Sequence, residues 1–394
     1  MKKILFLDDD EGRAQRWADK LKGLSIVSEH FDVQYITVDD FTRTKNELND
    51  RRGKARGANR GQKSAWNHQL DEVSILIIDF DLFKFDRDVT GESIAYLARC
   101  YSRCGLIIAL NQFYRKPSFD LTLKGHPESF ADLNMHDSQI HNQGLWKEPW
   151  KGFRPWTWPL LPKAIQKYDN RIKEVLPALN EPIIPFLGLT NIVRLLPRAT
   201  VEFIESNGRK PEETTFRQFV EESNQGLQAR DKALDDESIA RIAASRVHKW
   251  LERLVLPGQD ILVDVPHLVS RFPSLLKGDP KERNVWNRIM SLGIPDKRFM
   301  DIGRIEKFRF QKDNWASRPC WFWGDLSSYE EIAEVKDPWK PTKKADVVFC
   351  EDTATFELRS KTIEFVADLS SPFVRRYVRR EANTDYQPLV RFAL

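Results

Sequence analysis

Ile75-Leu76-Ile77-Ile78-Asp79-Phe80-Asp81 is the stretch on which the reading of this chain turns. Four aliphatic residues follow one another without a polar break, Val73 precedes them, and no helical polar face interrupts them, so the run reads as a strand buried on both sides. It ends in two acids. At the carboxyl end of a buried parallel strand, side chains reach the rim where open α/β sheets place their ligands and chemistry. Toward the N-terminus, Lys3-Ile4-Leu5-Phe6-Leu7-Asp8-Asp9-Asp10 repeats the pattern. Two acid-tipped strands side by side make a pocket for a hard divalent cation, because Mg2+ takes oxygen ligands and keeps several waters.

Outward from these two strands, the spacing of Ala14, Trp17, Ala18 and Leu21 predicts a helix over 11–23, and the alternation in FDVQYITV predicts a strand over 31–38. The connections are long enough for parallel pairing. A polar insertion at about 42–72 contains RRGKARGANRGQK, residues 51–63, and is expected to form a loop, since that composition buries no core. After Asp81 come a loop to Gly91, a helix on Ile94, Leu97, Ala98 and Tyr101, and a buried strand, GLIIAL, tipped by Asn111. A second irregular insertion spans about 112–143. Gly144-Leu145-Trp146 is read as a short fifth strand ending at Lys147.

Taken in order, ILFLDDD, LIIDFDL, GLIIALN and LWKEP resemble the motif-bearing strands of a response-regulator receiver domain, over roughly residues 1–180. The resemblance implies an α/β fold, a doubly wound parallel five-stranded flavodoxin-like sheet. It also implies signal transduction by a phosphoprotein: Asp79 as phosphoacceptor, Asp8, Asp9, Asp79 and Asp81 around Mg2+, and Lys147 and Asn111 on the phosphoryl oxygens. A histidine kinase or other phosphodonor would be one partner, and a protein would be another. Asn111 stands where the family has Ser or Thr, and Glu148 separates Lys147 from Pro149. A carboxylate attacking a charged phosphoryl group needs a metal to neutralise the oxygens, which agrees with those roles.

Residues 146–162, WKEPWKGFRPWTWPLLP, hold four tryptophans and four prolines and read as a packed connection over a core face or seam. A closing helix is expected from Leu161, followed by a C-terminal region, 181–394, that is helical and then a small α+β domain. There Asp236 caps a helix with Ile239, Ile242, Ala243, Val247, Trp250, Leu251 and Leu254 as its apolar stripe. This region is read as an effector of unassigned activity.

Lys+Arg of 62 against Asp+Glu of 58 leaves a net charge of +4, so any nucleic-acid footprint has to be local. Arg51, Arg52, Arg56 and Arg60 are one candidate patch. Arg375, Arg376, Arg379 and Arg380 are another, which would line one face if VRRYVRR were helical. No run is long enough to span a membrane and the apolar start is too short for a signal peptide, so the reading is cytoplasmic with no membrane partner. Four cysteines without metal spacing are expected to be buried thiols.

Three further functions compete with the phosphorelay. FLDDDEG and IIDFDLF both fit the Asp-x-Asp pattern of a Mg2+-dependent haloacid-dehalogenase-like phosphatase, with Asp8 or Asp79 as nucleophile. A nucleic-acid-binding regulator would use the arginine patches, and a receiver-shaped interaction module would dispense with chemistry altogether. Two smaller groupings are a metal cluster of His126, Asp132, His136 and His141, and a hydrolase triad of Asp264, His267 and Ser270.

Overall fold

The computed structural model describes residues 1–57, 69–79, 81–82, 84, 89–111, 128–150, 152–206, 208–223, 226–227, 231, 234–332, 346–366 and 373–380, with only the backbone of Asn111. The first segments form β1 (Lys2–Leu7), α1 (Glu11–Lys22), the short α2 (Ser25–Ser28), β2 (Phe31–Tyr35), α3 (Val38–Gly57), β3 (Val73–Asp79), α4 (Gly91–Tyr101), β4 (Leu106–Asn111) and β5 (Leu133–His136). The five strands make one sheet in the order β2-β1-β3-β4-β5, and every neighbouring pair is parallel.

The aliphatic runs lie at its centre. Ile4 to Leu7 and Ile75 to Ile78 are all buried, as runs covered on both faces should be. In the register Leu7 stands opposite Ile78, and Asp79 opposite Leu110. Asp8 therefore leaves β1 at the level where Asp79 ends β3. This is the point where the strand order reverses, with β1 and β3 leading away in opposite directions.

Two expectations for this half are corrected. The fifth strand is Leu133–His136, and residues 143–145 form a single 3-10 turn, so Lys147 follows a turn and is exposed. Leu133 and Met135 alternate inward on a half-buried edge, which needs only every second residue to be apolar. Residues 42–57 are not loop: α3 carries them, burying Phe41, Thr44 and Leu48 at helical spacing. Residues 58–68, with Arg60, and residues 112–127, with His126, lie outside the described residues.

Beyond the sheet come α5 (Leu161–Val175), the short α6 (Ile183–Phe186) and α7 (Arg198–Ile204), α8 (Phe216–Glu222) and α9 (Asp236–Trp250). The apolar stripe of α9 is buried throughout, and its polar flank is buried too. Arg241 donates to Cys104 O at 2.6 Å, Ser245 to Asp132, Arg246 to Ser129 O, and Lys249 to Ser129 O and Ala131 O. The helix packs against α4, α5 and α8, and one hydrophobic core runs from the sheet through these helices to Leu262.

A second core is built from β6 (Leu262–Asp264), α10 (Val265–Arg271), β7 (Cys320–Phe322), β8 (Val347–Cys350) and β9 (Thr355–Leu358), and outside it run β10 (Ile363–Val366) and β11 (Arg375–Val378). The last four make a sheet in the order β10-β11-β8-β9. The tryptophan-rich connection is pinned to both cores: Trp146 and Trp158 pack in the first and Trp156 in the second. The backbone N–H groups of Arg154 and Trp156 donate to Asp352 O and Glu351 O, each at 2.9 Å. All four cysteines are buried free thiols. No described helix is long and apolar enough to cross a membrane.

Candidate functional site

The rim at the ends of β1 and β3 gathers Asp8, Asp9 and Asp79, whose carboxylate oxygens lie within 4.8 Å of one another. It is the one such acidic, His or Cys grouping among the described residues. Asp8 and Asp79 are buried, because each is the first polar residue after a run that cannot leave the core. Next to them Asp10 caps α1, its Oδ1 accepting from the Arg13 amide at 3.0 Å. The cap sets the phase of the first helical turn, and that phase turns Arg13 back over the rim.

Arg13 occupies the centre of the acids. Its Nη2 donates to Asp8 Oδ1 at 2.6 Å, Asp79 Oδ2 at 2.7 Å and Asp9 Oδ1 at 2.9 Å, while Nε reaches Asp8 Oδ2 at 2.7 Å. The guanidinium also lies 5.6 Å from the centroid of Trp17, one turn along α1. Asp8 accepts additionally from the Asp10 amide at 2.7 Å, and Asp9 Oδ2 from the Lys84 amide at 3.0 Å. The hydrogen bonds of Asp8, and then the charges of Asp8, Asp79 and Asp9, hold Arg13 protonated far above any working pH, against the opposing pull of burial. Burial drives the Asp8 carboxyl upward, more than Arg13 and the Asp10 amide pull it down. The fork-on-fork contact with Arg13 is nevertheless that of an ion pair, and we describe the site as one.

Three carboxylates suit a hard divalent cation in number and chemistry. They do not suit one together with Arg13, because its guanidinium bonds to all three and takes the place an ion would need. The chain matches no protein-family model, no curated protein and no solved structure.

Of the other rim residues singled out from sequence, Asp81 is exposed and pairs with Thr90 in an isolated bridge, outside the triad. Lys147 forms no ion pair among the described residues. The side chain of Asn111 lies outside the described residues, but its register partner is His136. Sequence reading had set Lys147 at that edge. His136 Nδ1 meets Ser138 Oγ at 2.8 Å and Asp137 Oδ1 at 3.0 Å, while Asp132 pairs with Arg99; of the proposed His126, Asp132, His136 and His141 cluster, His126 lies outside the described residues and the other three form no metal-ligand grouping among the described residues. Sequence reading missed Arg13 altogether. Its signal was a cation in the first turn of the helix that directly follows the acidic run, four residues after Asp9.

The hydrolase triad is also not formed. Asp264 Oδ1 does meet His267 Nδ1 at 2.6 Å, but His267 Nε2 faces Glu351 Oε1 at 2.9 Å, and Ser270 Oγ donates to Pro266 O within its own helix. Both arginine patches are largely spent on internal acids. Arg51 pairs with Asp71, and Arg52 and Arg56 with Asp231. VRRYVRR is not a helix: Arg375 and Arg376 lie in the strand β11 and point to opposite faces, and Arg379 and Arg380 follow it in a bend. Arg376 is buried on Glu351, Arg379 pairs with Glu357, and Arg375 lies 3.7 Å from Glu364.

Proposed function

We propose that the parallel sheet is a flavodoxin-like, receiver-shaped regulatory module whose acidic rim is closed by its own Arg13, and that it acts by docking a protein partner and its C-terminal region instead of taking up a phosphoryl group. The strand order, with acids on the two strands flanking the reversal point, supports the receiver shape. One observation carries the rest: a single guanidinium bonded to Asp8, Asp9 and Asp79. Clustered carboxylates need a cation to neutralise them. In a phosphorylated receiver that cation is a metal, which also orients the incoming group. Here Arg13 supplies the charge and covers Asp79 Oδ2, one of the two oxygens a phosphodonor could use.

Phosphorylation of Asp79 by a histidine kinase with Mg2+, and hydrolysis of the haloacid-dehalogenase type, both require Arg13 to give up these bonds. Nucleic-acid binding would draw on arginines of which Arg51, Arg52, Arg56, Arg376 and Arg379 are already paired to carboxylates. The test is direct. Incubated with Mg2+ and acetyl phosphate, the full chain is expected to show no added phosphoryl by intact mass. A phosphoryl gain that disappears in Asp79→Asn would overturn the closed-rim reading and restore the phosphorelay.

A further inference from the structure

Lys163, Lys167 and Arg171 recur at four-residue spacing along α5 and so share one helix face. That face forms one wall of a small cleft that is partly open to solvent, with His248 of α9, Leu292 and Ser317 on the other sides. The cleft lies on the seam between the two cores: Leu160 at its edge and Leu292 belong to the second, while Leu161 and Ile165 of α5 belong to the first. Such seams are where small-molecule sites concentrate. No Asp or Glu is among the described lining residues.

The cations are held in an uncommon way. Lys167 Nζ donates to Ala316 O at 2.7 Å, and Arg171 donates from Nε to Ala244 O at 3.0 Å and from Nη1 to Asn314 O at 2.7 Å. His248 Nδ1 lies 2.6 Å from Trp315 O. Lys163, at the mouth, reaches a carboxylate, Glu148 at 3.4 Å. Carbonyl oxygens satisfy N–H groups but bring no negative charge. Burial, with the neighbouring Arg171, pushes Lys167 down to about 8, and burial pushes Arg171 down to about 10. Their charge is thus desolvated and hydrogen-bonded to neutral carbonyls, while Asp313 acts on Lys167, and Asp132 and Glu174 on Arg171, only through space.

We infer that this cleft binds a phosphoryl oxyanion, either free or carried on a phosphomonoester, against Lys163, Lys167 and Arg171. A dianion with several acceptor oxygens would provide the charge that the carbonyls lack, through charge-assisted hydrogen bonds.

Calorimetric titration of the full chain with inorganic phosphate, and separately with AMP, at constant ionic strength set by NaCl, tests this. Saturable binding is expected with at least one probe. Lys167→Met should weaken it by about tenfold to a hundredfold, the worth of one charged hydrogen bond. That variant removes a partly buried charge that has no carboxylate partner, so its fold should survive, which far-UV circular dichroism can verify. Lys163→Gln at the exposed mouth is a second variant that leaves the packing alone, and it should also weaken binding. Tighter binding of AMP would identify a phosphomonoester as the ligand, and binding of phosphate alone would identify the free ion. Absence of saturable binding by both probes, or binding unchanged in both variants, would overturn the assignment.

Discussion

Replacing Arg13 by Met deletes the guanidinium while keeping an unbranched stem to pack along Trp17. The three carboxylates left behind have oxygens within 4.8 Å of one another, and at an effective dielectric of about 20 each pair at that distance repels by about 3.5 kcal/mol. Part of this is relieved when one carboxyl takes up a proton. The expected loss is that of breaking a buried ion pair by removing one partner, about 3–5 kcal/mol. Urea unfolding at neutral pH and low ionic strength should read it directly. The same change frees three oxygen ligands for a hard cation, so the variant, unlike the wild type, should regain stability with Mg2+ or Ca2+. At a hundredfold excess over its dissociation constant the ion returns about 2.7 kcal/mol. Two results would refute the reasoning: a wild type stabilised by Mg2+ as strongly as the variant, or a variant that unfolds with the wild type and ignores divalent ions.

Two other perturbations probe the rest of the fold. Burial lowers the affinity of His267 for its proton, but Asp264 and Glu351, one on each ring nitrogen, outweigh burial and raise its pKa above the ordinary value. The stability this contributes is complete below about pH 6.5, the unfolded value, and is lost as pH rises through the raised folded value. The stability difference between wild type and His267→Gln, followed by urea unfolding across that range, should therefore be largest on the acid side, about 3–5 kcal/mol, and shrink with rising pH; a difference that does not change with pH would contradict the imidazolium. Gly105 precedes β4, and an added Cβ there would stand 2.3 Å from the backbone oxygen of Ser74. Gly105→Ala should cost about 1–3 kcal/mol, because the atom in the way is main chain and not a side chain that can turn aside; an unchanged unfolding midpoint would show that the β3 edge yields.

The parallel sheet could be read from the residues because its central strands are continuous aliphatic runs ending abruptly in Asp8, Asp79 and Asn111, a pattern that only a strand covered on both faces explains. The α9 stripe was readable for a similar reason, since its apolar spacing is helical. LNMH escaped notice because a four-residue edge strand needs only two apolar side chains, whereas GLW looked stronger but spends Leu145 and Trp146 on a tight turn. Residues 42–57 looked like loop because α3 buries only a narrow stripe and leaves most of its charge in solvent. The arginines of 375–380 do not share the face a helix would give them, because a strand alternates Arg375 and Arg376 and ends before Arg379 and Arg380.

By itself, the sequence determined where the central strands of the parallel sheet form and that two of them end in acids, since both follow from hydrophobic runs and the residues that stop them. Only the tertiary structure decided which cation answers those acids. Arg13 and Asp79 are 66 positions apart, and likewise His267 meets Glu351 and Arg52 meets Asp231 across long stretches of chain. Hydrophobic periodicity is a local property of the chain. The partner of a buried charge is set by which distant segments packing brings within about 3 Å of it, where the low dielectric makes pairing decisive.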